Sequence, residues 1–234
     1  MVSGGPAALA AKGATTTIPI VMVNLSDPVG QGLVGSLARP EGNITGLSFL
    51  AGELGTKRLE VLKDTLQKLA RVGVLWPSGF SASSLQLKEL RPAALALKLK
   101  LEEIETQPDP KGLEIAFQTA KQKQVKAIMT SASRPFFAER KRIVELVGKH
   151  RLPAIYFQKE FVDEGGLMSY GVDYEDLYRH VAVYMDKILK GAKPADLPVQ
   201  QATKFEFIIN LNAAKQIGLI IPVRVLERAN RVIK

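Results

Sequence analysis

The sequence predicts an α/β protein in which amphipathic helices cover parallel β-sheets. Short apolar runs rich in β-branched residues alternate with helical stretches along all 234 residues. The predicted strands span about 4–6 residues and the helices between them about 12–16, the lengths typical of this class. Apolar residues make up 46% of the chain and charged residues 24%, a globular composition. No apolar run approaches the roughly 20 residues that a membrane-spanning helix needs.

The chain begins with the end of a strand at Met1–Ser3 and a glycine turn into a helix over Pro6–Ala14. Pro6 suits a first helical turn, and the glycines allow backbone N–H groups to point outward at the helix start. A strand of one or two residues cannot anchor a sheet edge. We therefore expect a segment to be missing upstream.

The remaining elements follow from hydrophobic periodicity. The predicted strands are Ile18–Val23, Ile44–Phe49, Val72–Leu75, Leu101–Glu105, Lys126–Thr130, Ala154–Phe157, Leu167–Tyr170 and Phe205–Ile209. Helices are predicted over residues 57–69, 85–97, 111–124, 135–149, 174–190 and 212–217, the last ending at the C-cap Gly218. Strands and helices alternate most regularly over residues 72–157, so we expect one contiguous parallel sheet there.

Polar and turn residues follow each strand of the 72–157 region, among them Ser78, Thr130, Ser131 and Gln158. Ligands of open parallel sheets bind beyond the carboxyl ends of the strands, where loops offer hydrogen-bonding groups. These residues are therefore candidate ligand contacts. The alternative is that serine and glycine occur there only because they form turns well.

Several classes of site lack their sequence patterns. The chain has no cysteine and only two histidines, 30 residues apart, so we expect no metal site. It contains no catalytic motif, and we expect no enzyme and no bound cofactor. Gly30–Gly35 fits a dinucleotide fingerprint, but Asn24–Val29 separates it from the strand and Ala38–Gly42 stops any helix, so we interpret it as a turn. The net charge is +9 without aromatic residues between the basic ones, so we expect no nucleic-acid partner.

Motifs distributed along the whole chain resemble the family of ABC transporter substrate-binding proteins that includes tryptophan and tyrosine binders. They are Ser3-Gly4-Gly5-Pro6-Ala7-Ala8-Leu9-Ala10, Ile18-Pro19-Ile20-Val21, the stretch from Asp27 to Gly46, Gly165–Gly171, Asp186–Val199 and Ile209–Leu219. The resemblance implies a type I periplasmic-binding fold, in which two flavodoxin-like lobes joined by a three-strand hinge close on a small solute.

The resemblance also implies a domain organisation. It assigns residues 1–48 and 166–199 to lobe one, with a charge sum of −1, and residues 49–165 and 200–234 to lobe two, with +10. Members of the family begin with a signal peptide and two further βα units, so the resemblance implies an N-terminally truncated chain and an incomplete lobe one. We expect a homodimer through that lobe, because the edge of the strand Ile18–Val23 is then exposed.

The implied function is capture of a small molecule between the lobes, outside the cytoplasm, for an ABC transporter permease. The expected solute is an aromatic or branched amino acid or a related carboxylate. The implied ligand-binding residues are Ser3, Gly4, Asn24, Ser26, Asp27, Ser78, Thr130, Ser131, Tyr156 and Gln158. Ser3 at the helix start suits a carboxylate, and Asp27 suits an ammonium group. We expect Tyr156 to form an aromatic wall of the site. The alternatives are a regulator's ligand-sensing domain and a dinucleotide-binding enzyme.

Overall fold

The computed structural model describes residues 1–49 and 51–234, which form two compact units. The first unit comprises Met1–Leu50 and Val172–Phe205, and the second comprises Ala51–Gly171 and Glu206–Lys234. The chain therefore passes between the units three times. Each unit contains its own β-sheet and its own buried core.

The elements alternate along the chain as the sequence predicts. They are β1 (Val2–Ser3), α1 (Gly5–Ala14), β2 (Ile20–Leu25), β3 (Ile44–Ser48), α2 (Ala51–Thr65), β4 (Arg71–Pro77), α3 (Ser81–Ala96), β5 (Lys100–Thr106), α4 (Pro110–Gln122), β6 (Ala127–Thr130), α5 (Arg134–Ala138), α6 (Arg140–Lys149), β7 (Ala154–Tyr156), α7 (Glu160–Asp163), β8 (Met168–Val172), α8 (Tyr174–Leu189), a 3-10 turn (Pro194–Asp196), β9 (Gln200–Gln201), β10 (Phe205–Asn210), α9 (Leu211–Gln216), α10 (Val223–Leu226) and β11 (Arg231–Ile233).

The sheet of the first unit has the strand order β1-β2-β3-β9 among the described residues, and every pair is parallel. β2 is buried along its length because helices cover both faces of this sheet. On one face of the sheet, Ala8 of α1 packs with Met22. On the other face, α8 buries Leu177, Val181 and Tyr184, which recur at helical spacing.

The position of β2 corrects one premise of the expected homodimer. Val2 and Ser3 pair with Met22 and Val23, and β3 pairs along the other side of β2. The strand predicted at Ile18–Val23 is therefore an interior strand of the sheet and not its exposed edge. The two residues of β1 are enough to cover this edge of β2 at Met22 and Val23.

The second unit contains a seven-stranded sheet with the order β11-β10-β8-β7-β6-β4-β5 in the described part of the chain. The strands β5, β4, β6, β7 and β8 are parallel to one another, and β10 runs antiparallel to β8. The strands predicted between residues 72 and 157 all lie in it, as predicted. Alternate residues enter two cores: Val72 and Val74 pack on the face covered by α2 and α3, and Leu75 and Ile128 on the face covered by α4 and α6. The sheet is therefore buried on both faces.

The unit boundaries differ from the expected lobe boundaries by two to six residues. The second unit extends to Gly171 because β8 pairs with β7 in the seven-stranded sheet. The first unit extends to Phe205 because Gln200 and Gln201 pair with Leu47 and Ser48 of β3. With the boundaries of the structure, the first unit has no net charge and the second carries the full +9.

Local differences have physical causes. The helix predicted over 135–149 is two helices that meet at Glu139. Residues 26–43 form turns and bends. The Gly30–Gly35 segment therefore does not open a helix, which a dinucleotide loop requires.

The helices of the described residues are too short or too polar to span a bilayer. Within the same residues, no three acidic, histidine or cysteine side chains are grouped closely enough to hold a metal ion.

Candidate functional site

The carboxyl ends of β1 and β2 lie side by side in the first unit and bring two groups of predicted residues together. Gly4 donates its N–H to the carbonyl oxygen of Val23 at 3.2 Å, which joins the two strand ends. Gly4 has a φ of 84°, a backbone conformation that favours glycine, and it turns the chain directly into α1. Ser3, just before it, is half-buried.

The start of α1 offers hydrogen-bond donors. No side chain caps this helix, and Pro6 has no N–H. The N–H groups of Gly5 and Ala7 therefore have no acceptor among the described residues. Unpaired donors at a helix start, together with the helix dipole, favour an anionic group.

Asn24 is held by a contact that local sequence does not reveal. Its φ of 62° coincides with a shift in the register of β2 against β3, and asparagine tolerates this conformation better than most residues. The side-chain oxygen of Asn24 accepts a hydrogen bond from the Tyr174 hydroxyl at 3.1 Å. Tyr174 is half-buried and stands 150 residues away along the chain. It is thus an aromatic residue beside the predicted set that sequence reasoning missed.

Asp27 organises the loop after β2. Its Oδ1 accepts the N–H of Gly30 at 2.8 Å, and its carboxylate lies against Gly30 so closely that any side chain at position 30 would collide with it. The carboxylate remains exposed to solvent, as Ser26 does in part. The loop also places the Gln31 amide against Gly5, where an added Cβ would stand 2.5 Å from Oε1. Gln31 is a second residue that the sequence analysis missed.

The predicted residues of the second unit follow β4, β6 and β7, which are neighbours in its sheet. Ser78 follows β4, and its N–H donates to the carbonyl oxygen of Thr106 at 2.9 Å. Ser131 follows β6, and its N–H donates to the carbonyl oxygen of Leu75 at 2.9 Å. Gln158 follows β7 and, like Ser78, is half-buried. Parallel pairing therefore gathers these residues at one edge of the sheet.

Thr130 and Tyr156 lie deeper than the sequence suggests. Both are fully buried, and neither hydroxyl has a hydrogen-bond partner among the described residues. The Tyr156 ring stacks on Phe161 with centroids 4.7 Å apart, and burial raises the pKa of its hydroxyl. The aromatic wall expected of Tyr156 is not present, because its position in β7 directs the ring into the core under α6. The side chain packs there instead.

Two residues of α3 hold the loop after β6. The Gln86 amide donates to the carbonyl oxygen of Ala132 at 3.0 Å and accepts the N–H of Ala132 at 2.8 Å. The hydroxyls of Ser83 and Ser131 form a hydrogen bond of 3.2 Å. All of these groups except Ala132 are buried. The paired bonds fix the course of the loop that carries Ser131.

A groove of about 490 Å³ in the first unit is separate from the predicted residues. Asp173, Asp176, His180 and Lys204 are its charged or ionisable lining residues. Asp173 caps α8 by accepting the N–H of Asp176 at 3.0 Å, and its carboxylate pairs with Lys204 at 2.9 Å. Both contacts lower the pKa of Asp173, and the hydrogen bond from the Asp176 N–H lowers it more than the hydrogen bond from Lys204 does. Asp173 and Lys204 thus already satisfy each other's charge.

The two candidate edges share one chemistry. They offer backbone N–H groups, hydroxyls, amides and one exposed carboxylate at Asp27. These groups suit hydrogen bonding to a small polar molecule, since each is fixed on a sheet or a helix start.

Comparison with known proteins is consistent with this chemistry. The family model described as ABC transporter substrate binding protein matches residues 1–233. A tyrosine-binding protein of Clostridioides difficile is 27% identical over 220 residues, which cover 92% of this chain and 61% of that protein. The chain therefore spans about three-fifths of the length of this curated relative.

Two solved structures are similar along nearly the whole chain. A conserved domain protein from Vibrio cholerae is 30% identical, with a TM-score of 0.89 over 98% of this chain and 76% of the other. A domain from Streptococcus pneumoniae in complex with L-Trp is 28% identical, with a TM-score of 0.87 over 99% of this chain and 79% of the other.

Proposed function

Because the chain belongs to the family of ABC transporter substrate-binding proteins, we propose that it captures an aromatic amino acid for an ABC uptake permease. The observation that carries the proposal is the family match over residues 1–233. The names of similar proteins, which specify tyrosine in one case and L-Trp in another, support the class of solute. This is a family of binding proteins and not of enzymes, so we propose capture without chemical conversion.

The first unit supplies groups for both charges of an amino acid. The free N–H groups of Gly5 and Ala7 suit the carboxylate, since a helix start stabilises an anion by about 0.3–1 kcal/mol when exposed. The exposed carboxylate of Asp27 suits the ammonium group. Tyr174, fixed by its bond to Asn24, offers an aromatic surface for the side chain. Ser3, Gly4 and Ser26 flank these groups.

The second unit, taken by itself, offers neutral polar groups for hydrogen bonding to a solute. Ser78 and Gln158 are the accessible members of its set, and Ser131 lies behind them in a loop held by Gln86. Thr130 and Tyr156 are fully buried at the carboxyl ends of β6 and β7. We propose that Ser78, Ser131 and Gln158 contact the solute and that Thr130 and Tyr156 support them.

We propose that the protein acts outside the cytoplasm and that an ABC permease is its partner. Family membership supports both statements.

Binding of the free amino acids is the direct test. We expect L-Trp or L-Tyr to raise the melting temperature, because a ligand at 100 times its Kd adds about 2.7 kcal/mol to the free energy of unfolding. Tryptamine lacks the carboxylate and indole-3-propionate lacks the ammonium group, so both should bind at least tenfold more weakly in calorimetry. A folded chain that binds neither amino acid would contradict the proposal.

Variants test the assigned groups separately. Asp27→Asn keeps an oxygen that accepts the Gly30 N–H, so the loop is preserved while the charge is lost. We expect a 10–100-fold loss of affinity for the amino acid, since a hydrogen bond to a charged group contributes about 1.5–3 kcal/mol. Indole-3-propionate should bind this variant and the native chain equally. Glu41→Gln removes an exposed charge from the same unit and serves as the matched control.

A further inference from the structure

Helix α8 carries apolar side chains on two faces. Leu177, Val181 and Tyr184 are buried against the sheet of the first unit. A second set, at spacings of four, three and four residues, forms an exposed stripe, which we call the α8 stripe: Tyr178, Ala182, Met185 and Leu189. Tyr178 is 45% exposed, Met185 40% and Leu189 85%.

A surface helix needs only one apolar face, and its outer face is normally polar. The α8 stripe instead runs about 16 Å along an exposed side of the helix, from the start of its second turn to its last residue. Contiguous exposed apolar surface of this kind is typical of an interaction site.

We propose that the α8 stripe binds the α8 stripe of a second copy of this chain, with the two helices antiparallel about a two-fold axis. In this register Tyr178 of one copy lies opposite Leu189 of the other, and Ala182 lies opposite Met185. Each large side chain thus meets a different side chain, and the small Ala182 leaves room for the long Met185. Spacings of three and four residues are those by which paired helices interdigitate.

The charges beside the stripe support a second copy as the occupant. Arg179 and Asp186 lie one position beyond Tyr178 and Met185, on the same side of the stripe. The antiparallel register places Arg179 of each copy opposite Asp186 of the other, so the flank is complementary to itself. Parallel helices would leave Arg179 far from Asp186 and would set each stripe residue against its own copy.

The ion pairs that these residues form within one chain do not oppose the association. Arg179 lies 3.9 Å from Glu175, and Asp186 lies 2.9 Å from Lys190. All four side chains are exposed, and such pairs contribute little to stability. Exchanging them for contacts at the edge of an apolar interface therefore costs little.

The expected dimer is reversible. A contact along one helix is smaller than the roughly 1,200–2,000 Å² of a standard interface, so we expect dissociation on dilution below the micromolar range. Sedimentation velocity of the whole chain from about 1 to 100 μM should show an increasing sedimentation coefficient. A monomer throughout this range would overturn the proposal, whatever other partner the stripe contacts.

A substitution in the stripe tests its location. Leu189→Glu should raise the Kd of the dimer at least tenfold. Leu95→Glu is the matched control, because Leu95 is 80% exposed on α3 of the second unit. It makes the same chemical change and should leave the Kd unaltered. A dimer that persists unchanged in Leu189→Glu, or that is lost equally in the control, would overturn the assignment.

Charge reversal tests the orientation. Arg179→Asp or Asp186→Arg alone places like charges opposite each other and should weaken the dimer several-fold, and the double variant should restore it. The absence of native cysteines allows a second check. An equimolar mixture of Tyr178→Cys and Leu189→Cys should form an intermolecular disulfide under mild oxidation, while Tyr178→Cys alone should not. Efficient cross-linking of Tyr178→Cys to itself would contradict the antiparallel register.

Discussion

Two buried hydroxyls without hydrogen bonds mark the carboxyl ends of neighbouring strands in the second unit. Ile155 of β7 pairs with Met129 of β6, so the next residues, Tyr156 and Thr130, are neighbours on one face of the sheet. A buried hydroxyl without a partner costs about 1–3 kcal/mol relative to water. The sequence placed both residues at the correct edge, but a strand of three residues gave no indication of which face each side chain takes.

Removing either hydroxyl should not destabilise the protein. We expect Thr130→Val and Tyr156→Phe to leave the free energy of unfolding unchanged or to raise it by about 1 kcal/mol, since no hydrogen bond within the chain is lost. Urea unfolding measures this. Ser131→Ala is the control, because it removes the bond to Ser83 and should cost about 1 kcal/mol. A loss above 1 kcal/mol in Thr130→Val would show that its hydroxyl has a partner, such as a bound water.

Asp173 makes the stability of the first unit depend on pH. Its pKa is lowered by the N–H of Asp176 and then by Lys204, so the folded state favours the carboxylate. The resulting stability is fully present above the ordinary aspartate pKa of about 3.9 and is lost as the pH falls through the lower pKa of the folded state.

The comparison with Asp173→Asn isolates this contribution, because asparagine caps a helix as well as aspartate but cannot pair with Lys204. We expect the native chain to melt at a higher temperature than the variant at pH 7, and the difference to shrink as the pH falls below about 4. Asp163→Asn, which alters an exposed pair with Arg231, should change the melting temperature little at any pH. A difference that stays constant from pH 7 to pH 2 would contradict the assignment.

At the scale of elements, hydrophobic alternation predicted strands better than helix starts. Val72–Leu75 and Lys126–Thr130 agree with β4 and β6 to within two residues at each end, since runs buried on both faces are unambiguous. The helix predicted from Lys57 begins instead at Ala51. Glycine normally disfavours a helix interior, but Gly52 and Gly55 are buried, and an added Cβ at Gly55 would lie 3.5 Å from Leu90 of α3. Close packing of α2 on α3 decides this boundary, and no local pattern reports it.

Long-range contacts explain what the sequence missed at the candidate site. Residues that directly follow a strand could be placed at the sheet edge from chain order alone, as Ser78 and Asp27 were. Tyr174 meets Asn24 across 150 residues, and Gln86 meets Ala132 across 46. Such contacts depend on the packing of whole helices, which single-sequence periodicity does not specify.

The two hydrogen bonds between Gln86 of α3 and Ala132 in the loop after β6 should contribute to ligand binding as well as to stability. Gln86→Leu removes both hydrogen bonds to Ala132 and leaves the buried Ser131 loop without its support. We expect a loss of about 1–3 kcal/mol in the free energy of unfolding and a several-fold weaker affinity for the amino acid at temperatures where the variant is fully folded. Calorimetry measures the second effect.

Gln86→Glu distinguishes the contributions of the two hydrogen bonds to Ala132. Its carboxylate still accepts the Ala132 N–H but repels the Ala132 carbonyl oxygen, so its affinity should lie at or below that of Gln86→Leu. Gln122→Leu, at an exposed position near the end of α4, is the control and should change neither property. Unchanged affinity in both Gln86 variants would show that the loop does not contribute to binding.

At the scale of the molecule, charge and core are distributed unequally between the units. The entire net charge of +9 lies in the second unit. Among the described residues, the two buried clusters of the second unit contain 21 and 17 apolar residues, and the cluster that includes Ala8 of α1 in the first unit contains eight. Buried apolar area is the dominant stabilising contribution to folding, so the second unit should be the more stable of the two.

Hydrogen exchange should report this difference residue by residue. The amides of β4 and β6 lie in the interior of a sheet with helices on both faces, so we expect them to exchange only through global unfolding. The strands β1 and β9 have two residues each and lie at the edges of the four-stranded sheet. Their amides should exchange at least about 100-fold faster through local opening, and those of β2 and β3 at intermediate rates. Equal protection of β2 and β4 would instead show that the chain unfolds as one cooperative unit, and the size of the two cores would then not determine local stability.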